Sequence, residues 1–212
     1  MRYWIAALLL GLAGAMPMAF DPVLDLRSID EAIALGQTRI ERERARFHAR
    51  YQFPVNRAPI DSVEVITPFR RIVLAAEERV RIGDRLFGQR QALEVLRRAD
   101  GVLDISVEAT FHPHNAYIRV PDYRVALRGP GGVVEPKAID RYPRFGVRVE
   151  GGPRFGAPSA GGGLGVAQPL TGGTIVAHFG AGAVDAGARY DVVVFEGEKE
   201  LARVTVDLSA LR

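Results

Sequence analysis

The spacing of hydrophobic and polar residues changes near Gly101 and divides the chain into two halves. Before this position, apolar residues recur every three or four positions, as on one face of a helix. After it, apolar and polar residues alternate, as in strands with one buried face. The pattern predicts an α+β protein, with a helical segment at 20–101 and an antiparallel β domain at 102–212.

In the first half, the capping-box sequence at 28–31, Ser-Ile-Asp-Glu, predicts the start of a first helix with Ser28 as its N-cap. Ile33, Ile40 and Phe47 then recur every seven residues. This narrow apolar seam predicts a single amphipathic helix that ends before Pro54.

Two further helices are predicted before Gly101. Thr67 is a suitable N-cap, and Pro68 fits the first helical position because its missing N–H is not needed there. Gly83 is predicted to end this helix, and Asp84 to cap the next. The second helix has an apolar stripe formed by Phe69, Ile72, Val73, Ala76 and Val80, and the third is marked by Leu86, Leu93 and Leu96.

In the second half, alternating runs predict about seven short strands, arranged as an antiparallel sandwich. Such runs begin at Leu103, Tyr123, Phe145 and Ile175. Two further runs, at 190–195 and 201–208, flank the turn sequence EGEKE and predict a β-hairpin.

The stretch VDAGARYDVVVF, which contains Val184, Gly187 and Tyr190, resembles the corner before the penultimate strand of immunoglobulin-like and fibronectin type III domains. The resemblance implies an Ig-like β-sandwich in which the Tyr190 hydroxyl bonds to upstream backbone. The chain has no cysteine, and its one tryptophan is Trp4, so the disulfide and core tryptophan of antibody domains are absent. The resemblance also implies a scaffold widely used for binding.

The first residues predict export from the cytoplasm. Arg2 precedes an uncharged apolar run, and small residues at 13–15 suit signal peptidase. We expect a signal peptide at 1–19 and a periplasmic or secreted protein; the alternative is an uncleaved N-terminal membrane anchor. Because export separates the protein from the genome, we expect no nucleic-acid partner.

The chain is rich in arginine, with only Lys137 and Lys199 as lysines among 28 basic residues. Its densest basic stretch lies on the first predicted helix and contains Arg39, Arg42, Arg44, Arg46 and Arg50. Glu41 and Glu43 predict a solvated face with intrahelical ion pairs. The alternative is a contact surface for anionic lipid or for an acidic partner.

His112 and His114 flank Pro113 and are the only closely spaced histidines. Proline and Asn115 favour a turn between a strand ending at Phe111 and one beginning at Tyr117. A metal site needs three or four ligands, so we assign this motif to a turn and assign no metal, cofactor or catalytic residue.

Two segments of the second half read as long loops. The glycine-rich stretch at 151–173 lacks a phosphate-loop motif, and Ser159 lacks the flanking glycines of a nucleophile elbow. The connection at 129–144 contains Arg141 and Tyr142, residue types enriched in interface hot spots.

Together these observations predict an exported, non-catalytic cell-envelope protein that acts as a protein–protein binding or scaffolding module without a cofactor. One alternative is a periplasmic metal-binding protein that uses His112 and His114. The other is an enzyme of unknown class.

Overall fold

A computed structural model describes residues 21–84, 86–99, 103–112, 114–115, 117–146 and 169–212. These residues form an α+β protein, in which helices precede most of the strands. The expected signal peptide at 1–19 and the segment 151–168 of the glycine-rich stretch lie outside the described residues.

Four helices lie within the described part of the chain: α1 (Leu26–Gln37), α2 (Glu41–His48), α3 (Pro68–Arg81) and α4 (Gln89–Ala99). Their apolar faces meet in one cluster, which includes Ile29, Ile33, Phe69, Ile72, Val73 and Phe87. No helix in these residues has the length and apolar character needed to cross a membrane.

Nine strands form two antiparallel sheets in the described residues. The five-stranded sheet has the order β1-β2-β3-β7-β6, and the four-stranded sheet has the order β5-β4-β8-β9. The strands are β1 (Gln52–Arg57), β2 (Ile60–Ile66), β3 (Leu103–Thr110), β4 (Tyr123–Gly129), β5 (Gly132–Val134), β6 (Ala138–Phe145), β7 (Leu170–Phe179), β8 (Arg189–Glu196) and β9 (Lys199–Asp207). Their buried side chains form one large core from both sheets, with Ile105, Val107, Val125, Ile175 and Val192 among its members.

The first helix begins and ends differently from the prediction. Its N-cap is Asp25, whose carboxylate accepts a hydrogen bond of 2.7 Å from the Ser28 N–H. The predicted single helix is also wrong, because the chain leaves the helix at Thr38, which has an extended backbone (ψ 140°). The Thr38 hydroxyl accepts from the Ile40 N–H at 3.3 Å, a local bond that competes with helix formation. Ile40, expected in the apolar seam, is 61% exposed.

The segment 20–101 is not purely helical, because β1 and β2 form a hairpin within it. The hairpin belongs to the five-stranded sheet, where β2 pairs with β3. Alternation at Val63, Glu64 and Val65 is the local signal for this strand, and Val63 and Val65 are fully buried. The β1–β2 hairpin, which lies between α2 and α3 in the chain, therefore connects the helices to the five-stranded sheet.

The remaining helix predictions are confirmed only in part. Thr67 caps α3 by accepting from the Arg70 N–H at 3.2 Å, and Gly83 follows α3 with a positive φ of 82°. The third helix begins later than predicted, at Gln89. Asp84 instead accepts from the Leu86 N–H at 2.9 Å in a local turn, and Leu86 is 85% exposed.

In the second half, the β8–β9 hairpin is confirmed. The predicted strand at Tyr117 is absent, because β4 begins only at Tyr123. The connection at 129–144 is not a long loop, since it contains β5 and most of β6. Phe145 ends a strand rather than beginning one, and the positions 147 and 149 predicted to follow it lie outside the described residues.

Strand β7 begins within the stretch predicted as a glycine-rich loop. Gly172 and Gly173 belong to it for a steric reason. A Cβ on Gly172 would lie 2.3 Å from the Ala109 carbonyl oxygen, and one on Gly173 would lie 2.8 Å from the Tyr142 carbonyl oxygen. These glycines therefore permit close strand approach, a use of glycine that composition does not distinguish from a loop.

Candidate functional sites

One face of α2 is fixed firmly against the rest of the protein. The Phe47 ring lies 4.9 Å from the Tyr51 ring and 5.9 Å from the Phe69 ring. His48 Nε2 lies 2.8 Å from Glu77 Oε1 on α3. Arg44 also turns inward, donating to the Thr38 carbonyl at 3.0 Å. These contacts fix the direction in which the opposite face points.

The opposite face of α2 carries Arg42 and Arg46, with Arg50 in the short 3-10 helix that follows and Arg39 just before α2, and all four arginines are exposed. Arg42, Arg46 and Arg50 are four residues apart in the chain, and we name these three together with Arg39 the basic ridge. Within the described chain, none of these four guanidinium groups forms an ion pair or a hydrogen bond, whereas most other described arginines pair with a carboxylate.

The ridge differs from the prediction in two respects. The intrahelical pairs expected with Glu41 and Glu43 do not form, and Glu43 instead accepts from the Thr38 hydroxyl at 3.4 Å. Arg44 is not part of the ridge, since its Nε lies 3.8 Å from Glu77 on the buried side. The result is a row of positive charges that form no ion pair with Glu41, Glu43 or any other described carboxylate.

A second polar cluster lies on the outer face of the five-stranded sheet. His178 Nδ1 lies 2.8 Å from Asp104 Oδ1, and His178 Nε2 lies 3.2 Å from Asp140 Oδ2. The guanidinium of Arg71 on α3 holds the other oxygen of Asp104. Tyr142 donates to Asp140 at 3.4 Å. The cluster thus links three strands and a helix.

The protonation of His178 follows from its surroundings. Burial lowers the pKa of the imidazole, but the hydrogen bonds and negative charges of Asp104 and Asp140 outweigh burial and raise its pKa above the ordinary value. The protonated ring donates to both carboxylates, which is the arrangement that favours the charged form.

The cluster contains histidine and aspartate, residue types that act in acid–base catalysis, but they are not arranged for such catalysis. Both ring nitrogens of His178 are directed at carboxylates, so neither is directed at a nucleophile. The described residues also contain no group of three or more potential ligand side chains that could hold a metal ion. No local sequence pattern predicts the cluster, because Asp104, Asp140 and His178 are distant in sequence. The alternation of Asp104, Ser106 and Glu108 was the available signal for a polar face.

The junction between the helices and the five-stranded sheet is filled by structural contacts. Arg70 is buried, donating to the Val65 carbonyl and to Glu64 Oε2, both at 2.7 Å. Tyr51 donates to the Arg212 carbonyl at 3.0 Å, and burial raises the pKa of its phenol. These groups connect α3, β2 and the last described residues.

The histidine motif adopts a turn. The Asn115 N–H donates to the His112 carbonyl at 2.9 Å, and the His114 N–H donates to His112 Nδ1 at 3.2 Å. The second contact occupies one ring nitrogen of His112 within the turn itself. The Asn115 side-chain amide also donates to the Leu170 carbonyl at 3.1 Å, which ties the turn to β7.

The corner before β8 has the hydrogen bond that the sequence analysis expected. The Asp185 N–H donates to the Tyr190 hydroxyl at 2.8 Å. The Asp185 carboxylate, which was not singled out, accepts from the Gly187 N–H at 2.8 Å and shapes the turn. Val184 is buried and belongs to the large hydrophobic core.

The two hot-spot residue types on β6 have different environments. Arg141 donates to the Tyr123 carbonyl at 3.1 Å, which fixes its guanidinium, while Tyr142 is exposed. Arg141 lines a shallow groove of about 220 Å³ whose apolar side chains include Ile118, Val120 and Phe145.

Comparison of the chain with protein-family models, with curated proteins and with solved structures gives no match.

Proposed function

We propose that this chain is an exported, non-catalytic protein of the cell envelope that acts as a protein–protein binding or scaffolding module. The observation that carries the proposal is the basic ridge, with its four exposed arginines free of ion pairs in the described residues. Exposed charges that lack intramolecular partners, on a segment whose other face is held against the protein, suit the recognition of a charged surface. The apolar N-terminal sequence supports export.

The finer description of the scaffold is also a proposal. We propose that the two sheets form an Ig-like β-sandwich. The bond between Asp185 and Tyr190 supports it, because a tyrosine at this corner is a feature of such domains. Domains of this architecture commonly present loops and sheet edges to partners.

Crosslinking in intact cells tests the proposal. The ridge variant carries Arg39→Gln, Arg42→Gln, Arg46→Gln and Arg50→Gln. The matched paired-arginine variant carries Arg79→Gln, Arg81→Gln, Arg97→Gln and Arg98→Gln. It removes the same charge from arginines that pair with carboxylates on α3, on α4 and at Asp84, shortly after α3.

We expect a reproducible crosslinked envelope protein that is retained by the paired-arginine variant and lost by the ridge variant. Circular dichroism confirms that both variants fold. Recovery of the tagged protein in the cytoplasmic fraction, or absence of any ridge-dependent crosslink, contradicts the proposal.

A further inference from the structure

We infer that the partner of the basic ridge is an acidic polypeptide segment, bound in an extended or helical form along the row of arginines. This inference rests on the proposed function and specifies its partner.

The ridge is one side chain wide. Glu41 and Glu43 lie on the same short helix and are also exposed, so the positive surface is a line and not a broad patch. A linear ligand with carboxylates along one side fits such a surface. A planar anionic surface would meet the glutamates together with the arginines, and like charges would oppose that contact.

The one large apolar side chain of α2 packs against the protein, on the side away from the ridge. This side chain, Phe47, packs against Tyr51 and Phe69. A helix that binds a membrane surface places its apolar face in the lipid interface. Here that face is already occupied by the protein core, which favours a polypeptide over a lipid surface. Ile40, just before the helix, is the one large apolar residue exposed nearby.

The spacing of the arginines suits a polypeptide. Successive positions Arg42, Arg46 and Arg50 are each separated by about one helical turn, or ~6 Å. Alternate side chains on an extended strand are ~6.6 Å apart, and residues one turn apart on a helix have the same ~6 Å spacing. Acidic residues on either form can therefore meet successive arginines, and each guanidinium can bind a carboxylate through two N–H groups.

No carboxylate in the described residues pairs with the ridge, and few acidic residues lie outside them. Among the residues outside the described ranges, only Asp100 and Glu150 are acidic, and that set also contains Arg2, Arg85, Arg148 and Arg154. The four arginines are therefore available to carboxylates of another molecule. Charge complementarity identifies the chemistry of that molecule as acidic.

Fluorescence anisotropy with the full chain tests the inference. The probe is a fluorescein-labelled peptide of alternating glutamate and threonine that spans the ridge, and the neutral counterpart has glutamine for glutamate. Vesicles of phosphatidylglycerol and of phosphatidylcholine are assayed in parallel by co-sedimentation. The ridge variant and the paired-arginine variant are compared with the parent protein.

We expect the glutamate peptide to bind and the glutamine peptide not to bind. Binding should weaken roughly tenfold or more in the ridge variant, since four exposed ion pairs are lost, and stay within about twofold in the paired-arginine variant. It should also weaken steeply as salt shortens the Debye length from about 10 Å to about 3 Å.

Equal binding by both variants would overturn the inference, as would ridge-dependent binding to phosphatidylglycerol vesicles without binding to the peptide. If the in-cell crosslink depends on the ridge while neither probe binds, the binding-module function stands and only the acidic-peptide partner is wrong. If the peptide binds but no crosslink forms in cells, the proposed function fails and the chemistry of the ridge stands.

Discussion

His178 and Asp104 occupy paired positions on β7 and β3, with Nδ1 2.8 Å from Oδ1. The same carboxylate is held by Arg71 from α3, so the pair joins the sheet to the helical layer. On its other side His178 reaches Asp140 on the edge strand β6. A single imidazole therefore connects the edge of the sheet with the helices, and its protonation affects how firmly they are joined.

The pH dependence of stability follows from the pKa of His178. Its pKa is raised in the folded protein, and in the unfolded chain it lies near the ordinary value of about 6.5. The stabilisation is therefore fully present below the unfolded pKa and is lost as pH rises through the folded pKa. We expect the free energy of unfolding, measured by urea denaturation, to fall as pH increases above about 6.5.

The variant His178→Gln should lack this part of the pH dependence, since glutamine does not titrate. The matched control is His114→Gln, because His114 is exposed and its side chain takes no part in the cluster. An unchanged pH profile for His178→Gln, or an equal change for the control, would show that the imidazole does not couple the sheet to the helices.

Arg70 should contribute strongly to stability. Its guanidinium is buried and satisfies both the Val65 carbonyl and Glu64. Arg70→Met removes the donor to the Val65 carbonyl and to Glu64 Oε2, and leaves the partly buried carboxylate without its charged partner. We therefore expect a loss of about 3 kcal/mol in the free energy of unfolding. Arg81→Met is the control, because the Arg81–Glu78 pair is exposed, and its loss should stay within ~0.5 kcal/mol. Similar losses for the two variants would contradict the buried arrangement.

The Tyr190 corner permits a conservative test. Tyr190→Phe removes the oxygen that accepts from the Asp185 N–H while keeping the ring in the core. We expect a loss of about 1 kcal/mol in the free energy of unfolding. Tyr142→Phe should have a smaller effect, since its hydroxyl is exposed and makes a long bond of 3.4 Å. Equal stability of Tyr190→Phe and the parent protein would argue against this corner as a stabilising feature.

The sequence was most informative where a local bond determines the structure. Thr67-Pro68 predicted the start of α3, and its cap bond spans only three residues. The β8–β9 hairpin likewise depends on alternation and a short turn. The prediction of one continuous first helix was wrong for a related reason. The seven-residue recurrence of Ile33, Ile40 and Phe47 continues across Thr38, where a local bond of the threonine hydroxyl accompanies the end of the regular helix.

The candidate sites were harder to predict because they depend on strand order. The pairing that brings His178 beside Asp104 joins residues far apart in the chain, and no local pattern specifies it. The arginines of the ridge are evident in the sequence, but the sequence does not show whether they form ion pairs. Whether Glu41 and Glu43 neutralise them depends on side-chain geometry, and the inward direction of Arg44 depends on Glu77 of α3.

The close packing of α1 on α3 makes Gly36 a position where helix propensity and packing have opposite effects. Alanine at a helical glycine is ordinarily stabilising by about 1 kcal/mol. At Gly36, however, a Cβ would lie 2.5 Å from the Val73 carbonyl oxygen and 2.6 Å from the Ala76 Cβ. Because backbone and a Cβ cannot move aside as a long side chain can, overpacking of about 1–3 kcal/mol should exceed the gain.

We therefore expect Gly36→Ala to lower the free energy of unfolding by about 1 kcal/mol or more, measured by urea denaturation. Gly131→Ala is the control, since a Cβ at Gly131 meets no described atom within 4 Å, and its effect should stay within ~0.5 kcal/mol. A stabilised Gly36→Ala protein would mean that α1 and α3 are farther apart than these distances. The helical layer would then be held mainly by Phe69, Ile72 and their neighbours.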